Sequence, residues 1–302
     1  MRLKSFCKVN LLLNILGKRA DGFHELETVI QPVNFFDELV FERSGGGVQL
    51  SCSEKNLPAG SKNLVHQAAT AFLLAAKISD GVKIHLEKKI PLAAGLGGGS
   101  SNAAATLLGL NGLFGQPLST AALHKLAASL GSDVNFFLQD KPALATGRGE
   151  KVQPLGHFPA LRGKAFFLIH PGFGISTPWA YQNLARFPDA LNGKPGRAHK
   201  LVSLLQTPSG NGGVPPADLK AAAKEFYNSL EAPAFDKFPV LSLYQEFLRE
   251  NGVLAALMSG SGSTTFAIVE NVAAGGLLAE KFKSRFGQNC WTAAVSILQQ
   301  PT

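Results

Sequence analysis

The residues best suited to chemistry form a glycine-rich stretch, PLAAGLGGGSSNAA, which runs from Pro91 to Ala104. Glycine has no Cβ, so the backbone N–H groups of such a loop can approach an anion closely. The unpaired N–H groups and the partial positive charge at a helix N-terminus attract the same anions. A glycine loop that leads from a strand into a helix therefore indicates a phosphate-binding site.

The flanking residues predict the strand and the helix that this site needs. Apolar residues alternate with polar ones from Val82 to Glu87, which is the period of a half-buried strand. Apolar residues recur at helical spacing from Ala103 to Leu108, and Ser100 or Ser101 is expected to cap the first helical turn. The order of strand, glycine loop and helix is the order that phosphate binding requires.

Several other kinds of site are excluded because the sequence lacks the motifs that define them. No lysine follows the glycines as the Walker A pattern requires, and Ser100 stands where GxGxxG needs its third glycine. The HRD and DFG motifs of protein kinases are absent from the sequence. Cys7, Cys52 and Cys290 lie far apart without a CxxC or HExxH pattern, so neither a zinc site nor a disulfide framework is predicted.

The size and composition of the chain predict a globular α+β protein with two domains. The chain has 302 residues, of which 45% are hydrophobic and 17% charged, enough to bury a large core. The composition changes between Phe158 and Gly163, and a new buried strand is predicted from Phe166 to His170. We therefore predict an N-terminal domain of residues 1–158 and a C-terminal domain of residues 159–302.

Charge and hydropathy limit the partners. The net charge of +8 suits anionic ligands, and the scattered lysines and arginines make nucleic acid an unexpected partner. Arg2 and Lys4 precede an apolar run as in a secretory leader, but Asn10 and Asn14 interrupt that run. No apolar run has the length of a membrane span. We expect no membrane partner, a cytoplasmic location, and a monomer or weak homodimer.

The remaining elements follow from the same patterns. The predictions are strands at Val9–Leu16 and Val40–Glu42, helices at Val65–Lys77, Ser119–Leu130, Ala217–Tyr227 and Leu241–Glu250, a strand–loop–strand unit around Gly260, and loops at Asn192–His199 and Thr207–Pro216.

The glycine loop resembles the second motif of the GHMP kinases, a family that includes galacto-, homoserine, mevalonate and phosphomevalonate kinases. Residues 8–39, KVNLLLNILGKRADGFHELETVIQPVNFFDEL, resemble the first motif of one branch, the 4-diphosphocytidyl-2-C-methyl-D-erythritol kinases. Residues 257–270, LMSGSGSTTFAIVE, are similar to the third motif of the family. The stretches GSDVNFFL, ATGRGEKVQPL, PGFGISTPWAY and NSLEAPAF match the same branch in order, so the resemblance spans nearly the whole chain.

This resemblance implies a fold and an activity. The fold would be a two-domain GHMP kinase fold, with a ribosomal S5 domain 2-like N-terminal domain and a ferredoxin-like C-terminal domain. The activity would be ATP-dependent phosphorylation of the 2-hydroxyl of 4-diphosphocytidyl-2-C-methyl-D-erythritol, in non-mevalonate isoprenoid biosynthesis. The implied co-substrate is ATP, and the implied metal is Mg²⁺.

The resemblance also implies roles for individual residues. The catalytic residues would be Asp133, in a general-base or orienting role, and Lys8 as its cationic partner. The ATP-binding residues would be Lys62, Asn63, Pro91, Gly95, Leu96, Gly97, Gly98, Gly99, Ser100, Ser101 and Asn102, and the hydroxyls of Ser100 and Ser101 are candidates for Mg²⁺. The substrate-binding residues would be Asn10, Phe23, His24, Thr177 and Tyr181, with Phe23 and Tyr181 on the two faces of the cytosine. Phe23 stands where relatives usually have Tyr, and Asn102 where many have Asp.

Simpler roles and other functions remain open from the sequence. Asp133 could be a turn or cap residue, Lys8 an exposed side chain on an edge strand, and Phe23 a hydrophobic anchor of the DGF turn. The chain could be another GHMP kinase, such as a homoserine or mevalonate-type enzyme. It could also be a nucleotide- or RNA-binding module that shares the S5-like fold without catalysis.

Overall fold

The elements of secondary structure are taken from a computed structural model, which describes residues 1–207 and 219–298. The strands are β1 (Arg2–Lys18), β2 (His24–Ser44), β3 (Val48–Cys52), β4 (Gly81–Glu87), β5 (Ala143–Gly147), β6 (Lys151–Pro154), β7 (Ala165–His170), β8 (Tyr227–Asn228), β9 (Ala255–Met258), β10 (Thr265–Val269) and β11 (Trp291–Ser296). The α-helices are α1 (Leu64–Ala75), α2 (Gly98–Leu113), α3 (Thr120–Leu130), α4 (Thr177–Asn183), α5 (Pro188–Leu191), α6 (Arg197–Gln206), α7 (Leu219–Ala223), α8 (Glu231–Lys237), α9 (Val240–Glu250) and α10 (Val272–Phe286). Short 3-10 helices are Asn135–Leu138, Pro159–Leu161 and Leu184–Arg186.

The chain forms two compact units, and it passes through each more than once. The first unit comprises residues 1–7, 35–91 and 97–140, and the second comprises residues 8–34, 92–96 and the described residues from Lys141 onward. The long strands β1 and β2 therefore contribute residues to both units. The predicted domain boundary between residues 158 and 159 falls within the second unit and does not coincide with this division. As a boundary between family domains it stays a prediction.

In the first unit, helices and strands share one apolar core. β4 pairs antiparallel with the end of β2 and parallel with β3. Val82, Ile84 and Leu86 are fully buried and the polar residues between them are exposed, as the alternation predicts. The same core contains apolar residues of α1, α2 and α3, among them Phe72, Leu107 and Leu123.

In the second unit, the later part of β1 and the first part of β2 pair with strands that come later in the chain. β8 lies parallel to β1, with Leu12 opposite Tyr227 and Leu13 opposite Asn228. β5 pairs antiparallel with the beginning of β2, and β6 pairs with β5. In this sheet β1, which carries Lys8, lies between β2 and β8, two segments that are far apart in the sequence.

A separate antiparallel sheet of the second unit has the strand order β11-β7-β10-β9. In chain order these strands are the fourth, first, third and second, with α9 between the first two and α10 between the last two. This β-α-β-β-α-β arrangement is ferredoxin-like, as the resemblance implies. Its core includes the fully buried rings of Phe167 and Phe282.

No helix within residues 1–207 and 219–298 is long and apolar enough to span a membrane.

Most elements predicted from short-range patterns are confirmed, and two predictions on the second half need correction. α1, α3, β4, β7, α9 and the β9–β10 unit lie where they are predicted, and Ser119 caps α3 through the N–H of Ala122. The predicted loop Asn192–His199 is wrong at its end, because α6 begins at Arg197. The helix predicted to reach Tyr227 ends at Ala223, because Tyr227 pairs with β1. The predicted loop after Thr207 lies outside the described residues.

Candidate active site

The glycine loop leads into a helix N-terminus that no side chain caps. Gly95 and Gly97 have φ values of +74° and +71°, which glycine adopts without strain. Gly97 is the N-cap of α2, it makes no side-chain cap hydrogen bond, and the first turn carries no acidic residue. The N–H groups of this turn are therefore available to an anion.

The expected capping role of Ser100 and Ser101 is wrong, because α2 begins at Gly98 and includes both serines. The hydroxyl of Ser101 is buried, donates to the carbonyl of Phe6 at 2.6 Å and accepts from Ser5 Oγ at 2.7 Å. Ser100 is half-buried. Of the two hydroxyls proposed for Mg²⁺, that of Ser101 is thus held by protein groups.

Behind the start of α2 lies a buried carboxylate that sequence reasoning missed. Asp37 is fully buried, accepts from the backbone N–H groups of Lys89 (2.7 Å) and Ile90 (2.8 Å), and forms an ion pair with Lys88. Asn102 donates to the same carboxylate at 2.9 Å. An aspartate at position 102 would face Asp37 with a second negative charge. Asn102 therefore has a structural role in holding the loop.

Lys88 is the second residue that sequence reasoning missed. Its side chain is 5% exposed, and a Cβ built on Gly98 would lie 3.0 Å from its Nζ. A cation so close to the first residue of α2 is kept there by Asp37 and adds to the positive potential of the helix N-terminus. Asp37 stands in the mixed stretch VNFFDEL beside other polar residues, so no local pattern distinguished it.

Lys8 and Asn10 lie two residues apart on β1, so their side chains share one face of the strand. Lys8 is only 3% exposed, which contradicts the simpler interpretation of an exposed lysine. Its Nζ donates to Asn10 Oδ1 at 2.6 Å and to the carbonyl of Gly95 at 2.9 Å. Asn10 Nδ2 donates in turn to Thr28 Oγ1 at 2.9 Å. Within the second unit, the structure thus brings together the predicted catalytic lysine, a predicted substrate residue and Gly95.

Asp133 belongs to the first unit and Lys8 to the second. Asp133 is half-buried in the turn between α3 and the 3-10 helix Asn135–Leu138. Its catalytic role stays a prediction.

Phe23 presents its ring to solvent from a tight turn. The ring is 53% exposed, so the simpler role of a hydrophobic anchor is wrong. Asp21 Oδ1 accepts from the N–H of Phe23 at 3.1 Å, and the N–H of Arg19 donates to its carbonyl at 2.7 Å, which fixes the turn. The guanidinium of Arg148, from the ATGRGEK stretch, lies 4.5 Å from the ring centroid. Arg148 thus holds the orientation of a ring that offers a stacking surface.

Two other predicted substrate residues of the second unit, His24 and Tyr181, lie near each other. The rings of His24 and Tyr181 are 5.1 Å apart. Burial, together with the charge of Lys18, holds the pKa of His24 below its ordinary value and favours the neutral imidazole. Thr177 Oγ1 lies 2.8 Å from Ser261 Oγ, in the loop between β9 and β10.

The remaining predicted ATP residues have mostly structural contacts. Asn63 caps α1 by accepting from the N–H of Val65 at 2.9 Å, and its Nδ2 donates to the carbonyl of Pro58. Lys62 is exposed, and Pro91 is half-buried at the start of the glycine loop. Leu96 is buried, and its carbonyl accepts from the N–H of Lys8 at 3.0 Å. Their contact with ATP stays a prediction.

Protein-family models and individual relatives agree on the family to which the chain is similar. The model of the GHMP kinases N terminal domain matches residues 63–145, and that of the GHMP kinases C terminal domain matches residues 216–288. A 4-diphosphocytidyl-2-C-methyl-D-erythritol kinase of Synechococcus sp. (strain JA-3-3Ab) is 39% identical over 88% of this chain and 84% of its own. The kinase of the same name from Syntrophotalea carbinolica is 37% identical over 93% of each chain.

Solved structures give the same result. A crystal structure of 4-(cytidine 5'-diphospho)-2C-methyl-D-erythritol kinase matches with a TM-score of 0.78 and 34% identity, over 98% of this chain and 99% of that chain. Homoserine kinase from Cytophaga hutchinsonii matches with a TM-score of 0.69 and 20% identity, over 99% and 96% of the two chains, and supports the fold alone. The chain therefore belongs to the GHMP kinase family, in the branch of the 4-diphosphocytidyl-2-C-methyl-D-erythritol kinases.

Proposed function

We propose that this chain transfers the γ-phosphoryl group of ATP to the 2-hydroxyl of 4-diphosphocytidyl-2-C-methyl-D-erythritol, a step of non-mevalonate isoprenoid biosynthesis. The observation that carries this proposal is the uncapped N-terminus of α2, which follows a glycine loop in a chain whose relatives of that name match it over most of its length. The acceptor follows from those relatives, and the phosphate chemistry follows from the loop.

ATP binds with its phosphates at the first turn of α2. The N–H groups of Gly98, Gly99 and Ser100 are the donors, and Lys88 adds positive charge beside them. Mg²⁺ prefers oxygen ligands and is held largely by the phosphates themselves, so it needs few protein groups. Of the protein oxygens near the phosphates, the hydroxyl of Ser100 fits this role better than that of Ser101, which is already bonded to Phe6 and Ser5. Bound there, Mg²⁺ supplies charge neutralisation.

The acceptor binds through its cytosine and its alcohol. The exposed ring of Phe23 stacks on one face of the base, and Tyr181 serves the other. Phe23 lacks the hydroxyl of the tyrosine that relatives usually have at this position, but it keeps the aromatic face that stacks on the base. His24, held neutral by burial, offers one ring nitrogen as donor and one as acceptor to the base.

The chemical step needs positioning and charge stabilisation more than covalent chemistry. Asp133 accepts or orients the proton of the 2-hydroxyl, which is a poor nucleophile when protonated. The ammonium of Lys8, oriented by Asn10 and the Gly95 carbonyl, stabilises negative charge on the reacting oxygens. The chain acts without nucleic acid, as a cytoplasmic monomer or weak homodimer.

A coupled assay of ADP release tests the proposal against its two rivals. The acceptors are 4-diphosphocytidyl-2-C-methyl-D-erythritol, homoserine, mevalonate and galactose, each with ATP and Mg²⁺. We expect kcat/KM for the cytidyl alcohol to exceed the others by about a hundredfold or more, because a site built for polar groups rejects ligands that lack them. Preference for another alcohol would identify a different GHMP kinase. ADP release that needs no alcohol, or no release at all, would contradict the kinase assignment.

A further inference from the structure

Side chains of a short segment of the second unit, Asn228–Glu231, form hydrogen bonds to the backbone at the end of β9 and in the loop that leads to β10. Asn228 is 1% exposed, and its Nδ2 donates to the carbonyls of Met258 at 2.7 Å and Gly260 at 2.8 Å. Its Oδ1 accepts from the N–H of Leu230 at 2.9 Å, so the orientation of the amide is fixed. One side chain thereby fixes a carbonyl at the end of β9 and a carbonyl in the loop that follows.

Glu231 holds the other backbone group of the same residue, Met258. Its Oε1 accepts from the N–H of Met258 at 2.7 Å and from Gln245 Nε2 at 2.6 Å. Both backbone groups of Met258 are therefore fixed from the Asn228–Glu231 segment. The segment is itself attached to β1, since the N–H of Ser229 donates to the carbonyl of Leu13 and Ser229 Oγ accepts from the N–H of Ile15.

The residue that follows Met258 contacts the groups proposed for chemistry. Ser259 Oγ donates to the carbonyl of Gly95 at 2.9 Å and accepts from the N–H of Asn10 at 3.4 Å. The same Gly95 carbonyl accepts from Lys8 Nζ at 2.9 Å. A Cβ on Gly95 would lie 2.1 Å from the carbonyl oxygen of Ser259, so loop and glycine are in direct backbone contact. Any shift of Ser259 moves the acceptor that orients Lys8.

We infer that Asn228 and Glu231 are positioning residues for phosphoryl transfer, which act through Ser259 on the Gly95 carbonyl and on the ammonium of Lys8. This inference rests on the proposed kinase function. A displaced ammonium binds neither substrate more weakly in the ground state, yet it meets the developing charge in the wrong place. The loss therefore falls on kcat, and the KM values for ATP and for the alcohol stay near those of the wild type.

The first test is the kinetics of Asn228→Ala, with Asn111→Ala as the matched control. Asn111 also bridges backbone with its amide, through the N–H and carbonyl of Leu118, which is not a proposed site residue. We expect kcat of Asn228→Ala to fall on the order of 100-fold, the scale of a 1 Å misplacement, with both KM values within about threefold. Asn111→Ala should be less stable but keep its kcat. A folded Asn228→Ala with wild-type kcat, or with the loss confined to KM, would overturn the inference.

Further variants keep the test decisive. Glu231→Gln retains an oxygen that accepts from Met258 N and should keep near wild-type kcat, whereas Glu231→Ala should lose it. If Asn228→Ala does not fold, Ser259→Ala, which removes one hydroxyl, takes its place in the comparison. In a Lys8→Met background, Asn228→Ala should cost little more, because groups that act as one unit are not additive. Fully additive losses would mean that Asn228 acts independently of Lys8.

The wild type is measured first with the cytidyl alcohol. If it shows no turnover, the proposed function fails, whatever the variants do. If it turns over and the variants do not separate kcat from KM, the positioning role alone is wrong.

Discussion

A methyl group on Gly99 should separate ATP binding from folding. Gly99 is the second residue of α2 and is exposed, and the nearest atom to an added Cβ would be Leu64 Cδ1 at 3.5 Å, an ordinary contact. Gly98 is a poorer choice, because its Cβ would lie 3.0 Å from Ile90 Cγ2 and from Lys88 Nζ. Cα–Cβ bonds in a helix tilt toward its N-terminus, so the methyl of Gly99→Ala points at the proposed phosphates.

Gly99→Ala is expected to stabilise the fold and, at the same time, to weaken the binding of ATP. Replacing glycine by alanine in a helix stabilises the fold by up to about 1 kcal/mol. Displacing a phosphate from one N–H removes a hydrogen bond to a charged group, about 1.5–3 kcal/mol. The Kd for ATP should therefore rise about 10- to 150-fold, since about 1.4 kcal/mol is tenfold.

Gly276→Ala is the matched control. Gly276 is an exposed residue within α10, and an added Cβ would meet nothing within 4 Å. This variant should gain the same stability and bind ATP like the wild type. Titration calorimetry with ATP and thermal unfolding of both variants make the comparison. A stabilised Gly99→Ala with wild-type ATP affinity would refute the placement of the phosphates at α2.

Three further predictions concern the acceptor, the base and the pH dependence of stability. Phe23→Ala should weaken binding of the cytidyl alcohol by about 1–3 kcal/mol, one lost base stack, and leave the Kd for ATP unchanged; equal losses for both ligands would show that Phe23 supports the fold. Asp133→Asn should lower kcat at saturating substrates by about a hundredfold or more, with small changes in KM; near wild-type turnover would make Asp133 a turn residue only. Burial raises the pKa of Glu231 from its ordinary 4.5 to about 7. The folded state then keeps a proton that the unfolded state has lost, so this contribution to the free energy of unfolding is complete below about pH 4.5 and declines, by up to about 3 kcal/mol, as the pH rises to about 7. Urea unfolding of wild type and Glu231→Gln across that range measures the difference, and a constant difference would contradict it.

Elements set by neighbouring residues were predictable from the sequence, and contacts between distant segments were not. β4 follows from its alternation, and α3 from Ser119 and its apolar spacing. The start of α2 was misplaced because the helix begins directly after Gly97, which adopts the left-handed conformation, so that both serines lie inside the first turn. The burial of Lys8 depends on the Gly95 carbonyl, a tertiary contact that no local pattern in β1 encodes.

The candidate site follows the same division. The glycine loop was predicted from its own residues, because phosphate binding depends on local backbone freedom and on the helix that follows. Lys88 and Asp37 were missed, since only the pairing of β2 with β4 brings them together. Arg148 was missed for the same reason: its contact with Phe23 depends on the pairing of β5 with β2.

Proton-coupled ³¹P NMR of the product made from ATP and 4-diphosphocytidyl-2-C-methyl-D-erythritol identifies which oxygen receives the phosphoryl group. Carbon 2 of this alcohol carries a methyl group and no hydrogen, so a phosphate on the 2-hydroxyl has no proton three bonds away. We predict one new phosphomonoester signal without proton splitting, in step with ADP formation. A signal split into a doublet or triplet would place the phosphate on carbon 3 or carbon 1, and the absence of any new phosphomonoester would contradict the kinase function.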